Sequence, residues 1–230
     1  MTERTAIVTG AGQGFGLALT AALAGHGTTV IACARDADRL RAATTGLPGV
    51  RALPGDVTDP QFRDELVRAA DGRLDLLVHN AGELGPSPLP LLQDYPPDAL
   101  RAVLETTVLA PLALTQRALP LLRASSAGTV ITLSSDAAVE AYPGWGGYGC
   151  AKAALDQLAA VLAVEQPQLR VYAFDPGDMR TAMHQRAFPG EDISDRPLPE
   201  TVVPAVLRLL DERPPSGRLR ASDLLAGLAS

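Results

Sequence analysis

Tyr148 and Lys152 stand four residues apart in Tyr148-Gly149-Cys150-Ala151-Lys152, and Lys152 is the only lysine among the 20 lysines and arginines of the chain. On a helix that spacing puts both side chains on one face, so both can act on a common point. An ammonium is a compact point charge with three rotatable donors, whereas a guanidinium is a rigid planar fork. A sequence that uses arginine everywhere else has kept lysine at a place where geometry and charge matter. A free tyrosine titrates near 10, so acid–base work near neutrality requires its phenolate to be stabilised by roughly 2–3 units, which a neighbouring ammonium supplies. The pair therefore points to proton transfer. With four tyrosines in the chain, chance would set a lone lysine at this spacing on the order of 2% of the time.

A second candidate lies near the start. Gly10-Ala11-Gly12-Gln13-Gly14-Phe15-Gly16 follows an apolar run and opens a helical pattern. Glycines let a backbone approach a pyrophosphate, and a helix amino terminus adds free N–H groups and a positive dipole end. A structural turn would use glycines in the same way.

The elements that must position these residues alternate. Residues 5–9, 28–34, 50–53, 74–79, 129–133 and 169–174 read as strands, and a short one is expected near Arg218. Residues 15–23, 37–45, 61–70, 98–124, 148–165 and 200–210 read as helices. Strands that are apolar throughout, alternating with helices, predict an α/β fold: a single-domain, Rossmann-type, doubly wound parallel sheet with helices on both faces, spanning residues 1–230. Ligands of such sheets bind beyond the carboxyl ends of the strands, where these motifs fall.

Composition narrows the classes. With 230 residues, 47% of them apolar, the chain can bury a large core. A net charge of −6 argues against nucleic acid or an anionic membrane as the main partner. No signal-like stretch follows Met1 and no apolar run reaches spanning length, so a cytoplasmic protein is expected. Cys33 and Cys150 read as reduced, buried small residues. His26 reads as a helix-end cap, His79 as part of a buried strand and His184 as part of a mobile stretch. No two of them share ligand spacing, and no metal site is expected.

Together these motifs resemble the short-chain dehydrogenase/reductase family over nearly the whole chain. Thr9, Gly10, Gly14 and Gly16 match its glycine motif, with Gly12, Gln13 and Phe15 inside the same loop. Asn80-Ala81-Gly82 matches its Asn-Ala-Gly element, which implies support of the adenine side. Asp56-Val57 matches the acidic position that contacts adenine, and Pro176, Gly177 and Thr181 match the element that holds the nicotinamide carboxamide. The resemblance implies that Ser135, 13 residues before Tyr148, orients a substrate carbonyl, with Ser134 its structural neighbour. It implies Tyr148 as general acid/base and Lys152 as the residue that lowers the tyrosine pKa and holds the nicotinamide ribose. Where many relatives carry a relay asparagine this chain has Thr107, whose hydroxyl can still hold a water.

At the end of the second strand Ala34 stands where NAD-specific relatives carry aspartate. Arg35 follows at the place used for a 2′-phosphate, which favours NADP. The alternative puts Asp36 on the ribose and makes NAD the cofactor. The C-terminal third faintly resembles sepiapterin reductases. Residues 178–199 are expected to form a substrate-covering lid, with Tyr142, Trp145, Met183 and Phe188 as candidate walls or as ordinary packing residues. The expected partner is a neutral or weakly polar carbonyl or alcohol of small size, in a homodimer or homotetramer built on the long helices. The rival readings are a non-catalytic dinucleotide-binding regulator and a dehydratase or epimerase on the same fold.

Overall fold

The computed structural model describes residues 4–226; the remaining seven residues of the expected 1–230 unit lie outside the described part. Seven strands, β1 (Arg4–Thr9), β2 (Thr28–Ala34), β3 (Val50–Pro54), β4 (Leu76–His79), β5 (Thr129–Leu133), β6 (Arg170–Asp175) and β7 (Gly217–Arg220), form one sheet in the order β3-β2-β1-β4-β5-β6-β7. Every pairing is parallel. The order reverses between β1 and β4, so the sheet has its switch point beside the glycine loop.

The two-residue period of a strand divides the core. Ala6 and Val8 of β1 face one cluster, with Phe15, Leu19 and Leu23 of α1 (Gly14–Gly25) and Val206 and Leu209 of α8 (Val203–Glu212). Ile7 faces the other, with Leu66 of α3 (Pro60–Arg68), Leu114 and Leu122 of α5 (Ala110–Ala124) and Ala159 of α6 (Gly146–Glu165). Asp36 and Asp59 cap α2 (Ala37–Thr44) and α3 by accepting from Arg39 N and Gln61 N, whereas Gln13 gives α1 no side-chain cap. The first amides of α1 are left for another acceptor.

Three expectations need correction. The helix expected over 98–124 is divided into α4 (Pro97–Leu104), one wider π turn over Glu105–Leu109, and α5. Ala110 N bonds Glu105 O, and Pro111 has no amide to continue the ladder, so the register slips at this point. The stretch 178–199 contains a helix, α7 (Ala182–Ala187), capped by the Thr181 hydroxyl, and this helix holds His184. A last helix, α9 (Ala221–Ala226), follows β7 directly. Cys33 is buried, its thiol pushed up to about 12 by burial, but Cys150 is exposed on α6.

Candidate active site

The loop after β1 is built from the neighbouring strand. Thr9 Oγ1 accepts from Asn80 N and Ala81 N at 3.0 Å each and donates to Val78 O, while Asn80 Nδ2 donates to Thr9 O and Gly10 O at 2.9 and 3.1 Å. Asn80 thus braces the glycine loop with its side chain, beyond any support it gives to the adenine side. Gly10 sits at φ +67° and Gly14 at +56°, and a Cβ on Gly16 would fall 2.4 Å from Asn80 Nδ2, so side chains are excluded here. Phe15 turns inward onto Phe174 at 6.1 Å between centroids. Thr181 packs over Gly14, its methyl 3.4 Å from where a Cβ would stand.

A cleft of about 320 Å³ runs from this loop along the strand ends, past Gly12, Arg35, Asp56 and Val57 on one side and Gly82, Tyr148 and Pro176 on the other. Arg35 is 66% exposed, with only a 3.6 Å contact to Glu83. Asp36 is engaged as the α2 cap and faces Arg39 Nε at 3.4 Å, and Arg39 also donates to Gln13 Oε1 at 2.7 Å. Arg39 is a cleft residue that sequence reasoning missed; three residues after Asp36, it reads as an ordinary helix-surface pair. Asp56 Oδ1 accepts from Thr58 N and Oγ1 at 2.9 Å each, which fixes the turn after β3.

Ser135, Tyr148 and Lys152 converge at the end of β5. The Ser135 hydroxyl donates to Asp136 Oδ1 at 2.9 Å and accepts from Ala137 N, with the Tyr148 phenol near enough for the serine to favour its ionised form. Lys152 is 5% exposed, its Nζ 5.4 Å from the Tyr148 ring centroid and donating to Leu133 O. Burial lowers Lys152 to about 8, against the attraction of Asp156 and Asp175. The phenol of Tyr148 is pushed up by burial, while the Ser135 hydrogen bond lowers it and Asp136, Asp175 and Asp178 raise it further. Lys152 is not among the groups that move the phenol in this arrangement. In it the ammonium is directed at a backbone carbonyl and three carboxylates oppose ionisation of the phenol. Thr107 lies fully buried on the π turn, accepting from Glu83 N, and it shares Gly82 with Lys152: a Cβ there would be 3.9 Å from Thr107 Oγ1 and from Lys152 Nζ. Pro176 and Gly177, the latter at φ +72°, continue the wall after β6.

Behind these groups runs a network with no sequence signature. Ser134 Oγ donates to Asp156 Oδ2 at 2.7 Å, and Arg218 of β7 reaches Asp156, Asp175 and the Ser135 carbonyl at 3.2, 2.8 and 2.9 Å. The other oxygen of Asp156 is buried without a partner. Among the histidines, His26 Nδ1 lies 2.8 Å from Ala22 O at the end of α1, and His79 lies against Thr115, driven down to about 3 by burial. Among the described residues no three His, Cys, Asp or Glu side chains come together as a metal-ligand set, and no helix is long and apolar enough to cross a membrane.

Known proteins resemble this chain in sequence and in fold. The short chain dehydrogenase family model matches residues 4–192. An uncharacterised oxidoreductase of Escherichia coli K12, YciK, is 32% identical over 223 residues, covering 92% of this chain and 88% of its own. The sepiapterin reductase of Meriones unguiculatus is 34% identical over 199 residues, covering 79% of this chain and 76% of its own. The crystal structure of a short-chain dehydrogenase from Shigella flexneri 2a complexed with NADP superposes with a TM-score of 0.88 at 32% identity, covering 96% of this chain and 98% of that one. With the sheet order, the strand-end cleft and a family match over most of the length all in agreement, the chain belongs to the short-chain dehydrogenase family of oxidoreductases.

Proposed function

We propose that this chain is an NADP(H)-dependent oxidoreductase that interconverts a ketone or aldehyde with an alcohol, with Tyr148 as general acid/base. The observation that carries it is the meeting of Ser135, Tyr148 and Lys152 at the end of β5, where the nucleotide-sized cleft ends. The residues present fit a dinucleotide: Gly10 and Gly16 too crowded for any side chain, uncapped amides at the start of α1, and two guanidinium groups, Arg35 after β2 and Arg39 on α2. Asp36 is already engaged by its own helix, which supports NADP over NAD. The NADP in the Shigella relative supports the same reading.

The bound nicotinamide would supply or accept the hydride. Ser135 then holds the carbonyl oxygen, and Tyr148 donates the proton that turns the developing alkoxide into the alcohol, or removes it in the other direction. Lys152 supplies the positive charge that offsets the carboxylates around Tyr148, and Thr107 holds a water on the far side of Gly82. The segment 178–199, tied down by Arg180 N to Pro197 O and by Ser87 Oγ to Arg186 O, covers the substrate. The chain acts as one unit, cytoplasmic and self-associated.

The test is NADPH consumption against a panel of carbonyl compounds. Tyr148→Phe should lower kcat by about 10²–10⁴ while NADPH still binds. Arg35→Ala and Arg39→Ala should each raise the KM for NADPH about 10-fold and leave that for NADH near its starting value. Wild-type enzyme that prefers NADH would overturn the cofactor assignment.

A further inference from the structure

Beyond Tyr148 the cleft opens into a second cavity of about 460 Å³. Its wall is a run of rings in contact: Tyr148 to Trp145 at 5.6 Å, Trp145 to Phe188 at 5.9 Å and Phe188 to His184 at 4.9 Å between centroids. The last of these carries an unanswered polar group. The His184 side chain is only 9% exposed, its Nδ1 lies 3.8 Å from Asp178 Oδ1, and its buried Nε2 has no hydrogen-bond partner. The carboxylate of Asp178 on the Nδ1 side favours the tautomer with its proton there, which leaves Nε2 as an acceptor. A buried acceptor without a donor carries a desolvation cost that a ligand N–H or O–H removes.

The charges of the lining give the second constraint. Asp136, Asp175 and Asp178 border the cavity, and no arginine or lysine does. Two of the three already have cations on their outer sides, Arg218 on Asp175 and Arg196 on Asp178, so the basic groups stand behind the wall and do not face a ligand. A carboxylate or phosphate entering here would meet carboxylates and no compensating donor cation.

We infer that the substrate is an aromatic ketone, or the corresponding alcohol, that carries a hydroxyl or amino group away from the reacting carbon and no anionic group, with His184 as the residue that selects it. The inference rests on the proposed reaction at Ser135 and Tyr148: the carbonyl sits there, the aromatic body lies along Trp145 and Phe188, and the distal donor meets His184 Nε2 on α7. It adds to that reading a substrate class and a specificity residue.

Trp145 is the only tryptophan of the chain, so its fluorescence reports occupancy of this cavity whether or not turnover follows. Acetophenone and its hydroxy-, amino- and carboxy-substituted derivatives should be titrated by tryptophan quenching with NADPH present, and the same compounds assayed for NADPH consumption. The hydroxy or amino compound whose donor reaches His184 should bind and react at least about 10-fold better than acetophenone, and the carboxy compounds worse than acetophenone. His184→Phe should erase the advantage of the donor-bearing compound, and Asp178→Asn should narrow the penalty on the carboxylates. Carboxy compounds binding as well as the hydroxy ones, or an advantage that survives His184→Phe, would overturn the inference. Turnover without this preference would sink the inference and leave the reaction standing. The predicted binding order without turnover of any member would sink the proposed reaction and leave the cavity assignment standing.

Discussion

Lys152 and Tyr148 share one face of α6, yet the field around them is mixed. Burial disfavours the ammonium and brings Lys152 down to about 8, with Asp156 from its own helix and Asp175 from β6 holding it up. Burial also keeps Tyr148 protonated, helped by Asp136, Asp175 and Asp178. In the proposed carbonyl reduction the active pair would be neutral Tyr148 with charged Lys152. As pH rises the lysine loses its proton first, so kcat/KM for reduction should be level below pH about 8 and fall above it. Asp156→Asn removes a carboxylate that favours the ammonium, and the alkaline limb should move to lower pH; an unmoved limb would mean that another group sets it. Lys152→Arg keeps a charge that does not titrate in this range, but a planar guanidinium cannot take the buried seat against Leu133 O. It should cost about 10²-fold or more in kcat and abolish the limb near 8.

The elements around this pair are fastened by Arg218. From β7 it ties α6 through Asp156, β6 through Asp175 and the end of β5 through the Ser135 carbonyl, so one guanidinium sets the relative positions of the strands that carry the candidate catalytic groups. Arg218→Leu should lower kcat, and it should move the alkaline limb to higher pH, because removing a cation makes the ammonium of Lys152 easier to keep. Loss of packing alone would lower kcat without that shift. Arg218→Lys should restore the limb but only part of kcat, since an ammonium cannot reproduce the planar fork. None of this was legible beforehand: Arg218 is separated from Ser135 by 83 residues and sits on a strand of four. Their adjacency exists only once β6 pairs with β7. The parallel sheet was legible, because apolar strands such as Val30–Cys33 and Leu76–Val78 show their burial on both faces directly. So was the Tyr148–Lys152 pair, whose contact is local to one helix. Helix α7 was not, since six residues are too few for a 3.6-residue period to appear. The π turn at Thr107 was hidden because it is set by a backbone register and a missing amide at Pro111, which leave no mark on side-chain patterning.

At the scale of the molecule, α6 links the candidate site at the strand ends to the outer surface. Its first half carries Tyr148, Lys152 and Asp156, and its second half leaves Val161 42% and Val164 81% exposed. Leu109, the last residue of the π turn, and Leu112 of α5 are 49% and 39% exposed, a second apolar pair three residues apart. Both helices cover the same side of the sheet. Single exposed apolar residues are ordinary, but two such pairs on neighbouring long helices fit the homodimer or homotetramer that the family resemblance implies. Light scattering at micromolar concentration should therefore give a mass of at least two chains. Leu112→Glu with Val164→Glu should bring it to one chain, because each new carboxylate would be desolvated in the interface. Leu198→Glu, at a position 46% exposed and distant in sequence from both helices, should leave the mass unchanged. The dissociated variant should also have a lower kcat, since the helix that holds Tyr148 and Lys152 would lose the packing at its outer end. A wild-type chain that is monomeric under these conditions would remove both expectations together.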